Sequence, residues 1–281
     1  MTELQQGRTA VPAELMELGK FLTASRASLT PRDVGLIMSG RRRATGLRRE
    51  EVALLAGVGV SWYTWIEQGR AENVSGEVLD SIARVLRLDE NERLYVRRLA
   101  GLEAKHSTPS VDFDRQVFQP FVDNWGHNPA FITDRTWNVI VANVSAVRLF
   151  NLDSGSHNFL VHHFTDTRHR ALYANVEQKD HEIVARFRNQ VAYYPDDKQL
   201  RDVISQLSHS SERFATLWVK HEVREDACGD ELLIHPSVGE LPLHWATLNF
   251  PDRVAIRITL FHPQVGSNTD YALRRLARLD S

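Results

Sequence analysis

The 281-residue chain is 42% hydrophobic and 25% charged, ordinary values for a globular protein with a real core and an argument against wholesale disorder. A single cysteine, Cys228, excludes a disulfide framework and any multi-thiolate metal site, and it fits a reducing compartment. The formal net charge of −2 gives no general affinity for nucleic acid, and no apolar run approaches the length of a membrane span. The opening MTELQQGRTA has neither the basic nor the apolar region of a signal peptide, so a cytoplasmic location is expected.

Charge is unevenly spread. Residues 1–106 carry 16 Lys and Arg against 14 Asp and Glu, and the remainder carries 18 against 22. Between residues 26 and 49, the arginines at 26, 32, 41, 42, 43, 48 and 49 face Asp33 alone. The planar fork of arginine suits phosphate and guanine, although a solvated loop reads such a run equally well when it stands alone.

In chain order, PAELMELGKFLTASRA (12–27) places Leu15, Leu18, Phe21 and Leu22 on one helical face. The Gly-interrupted LTPRDVGLIMSGRRRATG reads as a turn and an extended loop. In LRREEVALLAGVGVSWYTWIEQGR (47–70), Leu47, Val52, Leu54, Leu55 and Ala56 make a helical face that Gly57 ends, and a second helix runs from about Val60 to Gln68. Two short helices joined by a glycine-containing turn form the helix-turn-helix pattern. Ser75 and Asp89 cap two further helices, giving five helices and no strand over residues 12–102. Residues 103–111 are a linker, and 112–279 form a second domain of different character. There, FITDRTWNVIVAN (131–143) reads as strand, turn at Asp134-Arg135, strand, and SAVRLFNL as a short helix. Helical patterning fills 175–221, broken at Pro195. ELLIHPS, LPLHWATLNF and DRVAIRITLFHP predict an antiparallel meander, and YALRRLARL a closing helix. The order predicts an α+β domain with helices against an antiparallel sheet.

Within the helix-turn-helix, Tyr63 and Ile66 fit the buried face of the second helix, which leaves Val60, Ser61, Thr64 and Trp65 facing outward to read the major groove. Ser61 and Thr64 can hydrogen-bond bases or phosphates, and Val60 can pack on a thymine methyl. Trp62 and Trp65 are equally open to core packing. Arg41, Arg42 and Arg43 suit phosphate or a narrow minor groove. Arg48 and Arg49 suit phosphate or simple charge complementarity with Glu50 and Glu51, and Arg70 is grouped with the DNA-facing set.

Residues 15–101 resemble the XRE-type, lambda-repressor-like helix-turn-helix family, in the bacterial branch with an arginine-rich insertion. The resemblance is carried by LGKFLTASRASLTPRDVGL, GRRRATGLRREEVALLAGV, SWYTWIEQGR and VLDSIARVLRLDENER. Gly59 departs from the serine usual at that place. From about 112 to 279 the chain resembles the MmyB-like ligand-binding domain, through NPAFITDRTWNVIVANVSAVRLF, SSERFATLWVKHEV, IHPSVGEL and Gly266-Ser267. That likeness implies a PAS-like fold, a buried cavity for a small apolar or fatty-acid-like molecule, and a homodimer.

Phe131, Trp137, Phe164, Phe187 and Trp218 can supply apolar walls, and Asn143, Arg168, His221 and His235 polar anchors. Each aromatic is as readily plain core, Asn143 as readily a helix cap, and His235 as readily a turn residue. The five histidines between 157 and 181 lack metal-ligand spacing, and no catalytic or phosphate-loop motif occurs. The expected protein is therefore a DNA-binding transcriptional repressor without metal or resident cofactor, tuned by a small effector, and not an enzyme. Two alternatives stand beside it: a second domain that only dimerises or binds a protein, and an enzyme fused to a DNA-binding domain.

Overall fold

A computed structural model describes residues 11–36, 46–103, 114–152, 157–225, 228–250 and 253–278. The chain divides into two compact units, Met1–Lys105 and His106–Ser281.

The described part of the first unit is helical, as the sequence predicts. Helix α1 (Ala13–Ser28) buries Leu18, Phe21 and Leu22. A 3-10 turn at Pro31–Val34 follows. The rest of the basic loop, with Arg41, Arg42 and Arg43, lies outside the described residues. Helix α2 (Arg49–Ala56) stops at Gly57, whose φ of 69° glycine adopts without a Cβ penalty, and Val58 N donates to Ala53 O at 2.9 Å to close the turn. Helix α3 (Val60–Glu67) starts after Gly59. Ser75 Oγ accepts from Val78 N to cap α4 (Gly76–Val85), and Asp89 and Glu92 cap α5 (Glu90–Leu99) reciprocally at 2.9 and 2.8 Å. Helices this short hold by packing. At Gly19, α1 and α3 approach so closely that a Cβ would stand 2.2 Å from the Glu67 carbonyl oxygen.

Gly59 is a different kind of glycine. Its φ of −66° suits any residue, α3 has no side-chain cap there, and a Cβ would meet nothing within 4 Å. Gly59→Ser is expected to stabilise the unit by roughly 0.5–1 kcal/mol, by supplying the missing acceptor and restricting the unfolded chain. A thermal melt without a gain in Tm would contradict this.

The second unit is α+β. Its first helix, α6 (Arg115–Asp123), precedes a hairpin of β1 (Ala130–Thr133) and β2 (Asn138–Ala142). After α7 (Val144–Phe150) come a two-residue strand β3 (His157–Asn158) and two short helices, α8 (Phe159–Thr165) and α9 (Thr167–Ala171). Two longer helices, α10 (Val176–Tyr193) and α11 (Lys198–Ser210), and the short α12 (Glu212–Trp218) follow. The predicted meander is β4 (Cys228–His235), β5 (Gly239–Phe250) and β6 (Arg253–Pro263), closed by α13 (Thr269–Leu276). Five main strands, with β3 as an edge addition, form one antiparallel sheet of order β3-β2-β1-β6-β5-β4.

Alternation divides the sheet into two faces. Phe131, Leu233, Leu241, Leu243, Trp245 and Phe261 enter a large core with residues of α7, α8 and α10 through α13. Ala130, Ile132, Val141 and Ile256 face the other way and pack under Phe118 and Val122 of α6. Helices α6, α8 and α9 and strand β3 are not read from the sequence. The first contains Pro120, and the next two span seven and five residues, too few to show a helical period. Local caps define them instead: Asn158 Oδ1 accepts from Val161 N at 3.1 Å, and Asp166 Oδ1 accepts from Arg168 N at 2.7 Å.

Candidate nucleic-acid interface and effector cavity

Helix α3 sorts its side chains as its apolar spacing predicts. Tyr63 and Ile66 are buried, at 0% and 1% exposure, while Val60 (42%), Ser61 and Trp65 (45%) face solvent. Thr64 is half-buried, and its Oγ1 donates to the Val60 carbonyl at 2.8 Å, so only part of its hydrogen-bonding capacity faces outward. Trp62 is half-buried and meets Trp65 edge-on at 6.1 Å. This pairing fixes the exposed indole beside Ser61 without burying it.

The arginines divide by role. Arg48 is exposed at the start of α2, where its backbone N donates to Glu51 Oε2 at 2.7 Å. Arg49 is placed differently from a free phosphate contact. Its Nε donates to Glu67 Oε2 at 2.5 Å, and Arg26 Nε donates to Glu67 Oε1 at 2.6 Å. The Glu67 side chain is fully buried, so one carboxylate ties α1, α2 and α3 together. Burial alone would raise its pKa; hydrogen bonds from Arg26, Arg49 and Tyr63 more than offset that and hold the carboxyl below its usual range. Sequence reading missed Glu67 because an acid near a helix end gives no signal of burial. Arg70 is exposed, with Nη1 3.4 Å from Gln68 Oε1.

In the second unit, the inner sheet face and α10 enclose a cavity of about 40 Å³. Strand register sets the sheet side: Phe131 pairs with Thr259, Thr133 with Arg257, Thr247 with Thr259 and Trp245 with Phe261. Lys179, Ile183 and Arg186 come from one face of α10, and Trp137, Phe159 and Tyr173 complete the wall. The volume holds a few waters, at roughly 10–15 Å³ of accessible space each. Ligand pockets usually measure about 300–1,000 Å³, so a larger occupant needs these side chains to move.

Trp137 is held in the left-handed region, at φ 68°, which is unfavourable for a bulky residue. The Asp134 carboxylate fixes the turn by accepting from Thr136 N at 2.8 Å and Asn138 N at 2.9 Å. The indole consequently stands against Arg257 Cζ at 4.6 Å and Arg186 Cζ at 5.5 Å. Nε1 of Trp137 and Nε1 of Trp245 are buried without a hydrogen-bond partner, each at a cost of about 1–3 kcal/mol.

Of the residues singled out from sequence as ligand-binding, Phe131 and Trp137 line this cavity. Phe187 lies behind it, edge-on to Trp137 at 6.3 Å. Phe164 packs on Phe214, and Trp218 stacks on Phe214 with Arg188 3.9 Å above it. The proposed polar anchors stand elsewhere. Asn143 caps α7 through Ala146 N and donates to Asn128 O at 2.7 Å, the structural alternative open from sequence. Arg168 is exposed on α9, His235 Nδ1 accepts from Ser237 N in the β4–β5 turn, and His221 Nδ1 lies 3.2 Å from Arg188 Nη1. The polar residues that do line the cavity were legible only in part. Lys179 and Arg186 share a helical face with Ile183, and Arg257 and Thr259 alternate with Ile256, Ile258 and Leu260.

Beside the cavity wall, His162, His163 and His169 are buried together. His163 Nε2 lies 2.9 Å from Asp180, which also accepts from Arg170 and Arg213. The Phe150 carbonyl oxygen can only accept, so His169 Nδ1–H donates to it at 3.2 Å and Nε2 accepts from the Tyr173 hydroxyl at 3.3 Å. Burial, reinforced by His163 and His162, pushes the His169 imidazole down to about 3. Among the described residues no group of three or more His, Cys, Asp or Glu is arranged to hold a metal ion. No described helix is long and apolar enough to cross a membrane.

Comparison with known families matches both units. Residues 17–95 match a helix-turn-helix domain, and residues 115–276 match the MmyB-like transcription regulator ligand binding domain. No curated protein matches the chain. The two domains together make the arrangement of a ligand-responsive, DNA-binding transcription regulator. With more than half of its length in that match, the chain belongs to the family of the MmyB-like transcription regulator ligand binding domain, carried behind a helix-turn-helix domain.

Proposed function

We propose that the protein is a homodimeric repressor, acting at the nucleoid in the cytoplasm, whose operator affinity changes when a small, largely apolar molecule enters the second-unit cavity. The observation that carries the reading is the solvent-facing row Val60, Ser61 and Trp65 on α3, opposite a helix face that is fully buried. A recognition helix places its N-terminal side chains on base edges in this way. Dimerisation is supported by apolar side chains left uncovered on the outer sheet face, Leu232, Ile234 and Leu248, and by Val117 and Phe121 on α6. A PAS-like description agrees with the hairpin, helical insert and meander of one antiparallel sheet. A receptor role fits the cavity better than catalysis does, since no carboxylate, histidine, serine or cysteine lines it.

The test is selection of bound sequences from random duplex DNA by the full chain. One enriched motif with two-fold symmetry is expected. Ser61→Ala and Trp65→Ala should leave the fold intact, since both residues face solvent, and relax preference at one or two base positions by about 1–3 kcal/mol each. Equal binding to all sequences, or unchanged motifs in both variants, would overturn the reading.

A further inference from the structure

We propose that α3 reads methyl groups in the major groove: Val60 and Trp65 each pack on the C5 methyl of a thymine, so that two thymines, and not a guanine, specify the half-site. The inference rests on reading α3 as the recognition helix and adds the chemical feature of DNA that it recognises.

The outward face of α3 is uncharged. Its eight residues, VSWYTWIE, include one carboxylate, that of Glu67, which is buried between Arg26 and Arg49. A guanine is most often read by a bidentate arginine or lysine, and an adenine by asparagine or glutamine. None of these four residue types stands on α3. Gln68 and Arg70 are exposed, but they follow the last residue of the helix, and a recognition helix brings its N-terminal side chains to the base edges.

Hydroxyl readout is thin as well. Thr64 Oγ1 spends its one proton on the Val60 carbonyl oxygen at 2.8 Å, so toward DNA it can only accept. Ser61 is left as the exposed hydroxyl donor. The apolar groups, by contrast, are placed for methyls. Around the helix axis Val60 and Trp65 lie about 140° apart, with Thr64 and Ser61 between them. Apolar groups thus flank a polar centre. The major groove has the complementary layout: a thymine methyl projects on its own strand's side, and the hydrogen-bonding edges of the pair lie nearer the middle. The two flanking residues therefore suit methyls on opposite strands.

Trp65 is also held ready. The half-buried Trp62 meets it edge-on, with ring centroids 6.1 Å and planes 72° apart, so the exposed indole loses less freedom when it docks. Val60 is β-branched and stiff at χ1, which has the same effect on the other flank.

The experiment starts from the motif that the full chain selects from unmodified duplex DNA, where thymine is expected at two positions of each half-site, one on each strand. Each of these thymines is then replaced by uracil, which removes the methyl and keeps every hydrogen-bonding group. Affinity should fall about three- to tenfold per position, the effect of one buried methyl. Trp65→Ala should erase the uracil penalty at one position and Val60→Ala at the other. At the same positions a 5-methylcytosine·guanine pair should bind more tightly than cytosine·guanine by a similar factor, although both present a different hydrogen-bonding edge from thymine. The two base contrasts need no variant, so a folding defect in either substitution leaves the test intact. A motif without thymine, thymines that all tolerate uracil, equal binding of cytosine and 5-methylcytosine, or a uracil penalty that persists in both variants would overturn the methyl reading and leave the recognition helix standing. If no motif is enriched at all, the recognition helix falls and the inference falls with it.

Discussion

Glu67→Ala is expected to destabilise the first unit by about 3–5 kcal/mol, because it leaves two guanidiniums without the buried carboxylate that compensates them. Arg26 is the more enclosed of the two, with a side chain only 15% exposed and Nη1 donating to the Leu47 carbonyl oxygen at 2.7 Å. A whole domain is typically stable by about 5–15 kcal/mol, so the loss would leave a sizeable unfolded fraction. Arg49→Ala should cost less, since its side chain is 44% exposed and can be replaced by solvent. Arg49→Ala also separates structure from DNA contact. If Arg49 acts as a brace, its loss lowers operator affinity without changing the salt dependence of binding. Urea unfolding of the first unit, with a change below about 1 kcal/mol for Glu67→Ala, would contradict the brace.

Acidification should destabilise the second unit well before its carboxylates titrate. The folded state keeps His169 neutral down to about pH 3, whereas the unfolded chain takes up its proton near 6.5. The unfolded form therefore binds more protons throughout that window, and stability falls as pH drops below 6.5. One pH unit corresponds to about 1.4 kcal/mol, so His169 alone contributes a loss of roughly 2 kcal/mol by pH 5. Burial lowers His163 as well, against the pull of Asp180, and adds in the same direction. Asp180 behaves oppositely to a buried free acid: burial would raise it, but His163 and Arg170 hold it at about 2, so its contribution persists until far lower pH. Melting curves between pH 7.5 and 5 should show a shallower decline for His169→Gln than for the unmodified chain, even though the variant starts less stable. Parallel declines would contradict the assignment. Tyr173 bonds His169 and lines the cavity, so protonation and occupancy share a side chain.

The helices of the first unit were legible because each carries its own signal. Leu18, Phe21 and Leu22 repeat at helical spacing, Gly57 ends one helix, and Ser75 and Asp89 begin two others. The hairpin and meander of the second unit were legible from alternation and from turn residues. Two things were not. Helix α6 is interrupted by Pro120 and α8 and α9 are too short to show a helical period, so their local caps alone mark them, and β3 exists only through its pairing with β2. The cavity was half-read for a related reason. An aromatic residue announces burial, so Phe131 and Trp137 were found, but it does not announce a void. Arg257 and Arg186 look like surface charges until the register of β6 and the rotation of α10 turn them inward. In the DNA-binding unit, likewise, a basic run predicts contact with phosphate but cannot tell that Arg49 is held by Glu67.

Binding of the full chain to its selected DNA sequence as a function of salt tests the regulator directly. With Arg49 committed to Glu67, four of the arginines between residues 41 and 49 remain for phosphate: Arg41, Arg42, Arg43 and Arg48. Each phosphate contact adds a slope of about −0.9, so log K should fall against log salt with a slope near −3.5 per chain and about −7 for a dimer. Binding that persists unchanged from low to high salt, or is absent at every salt concentration, would contradict a DNA-reading helix-turn-helix flanked by arginine.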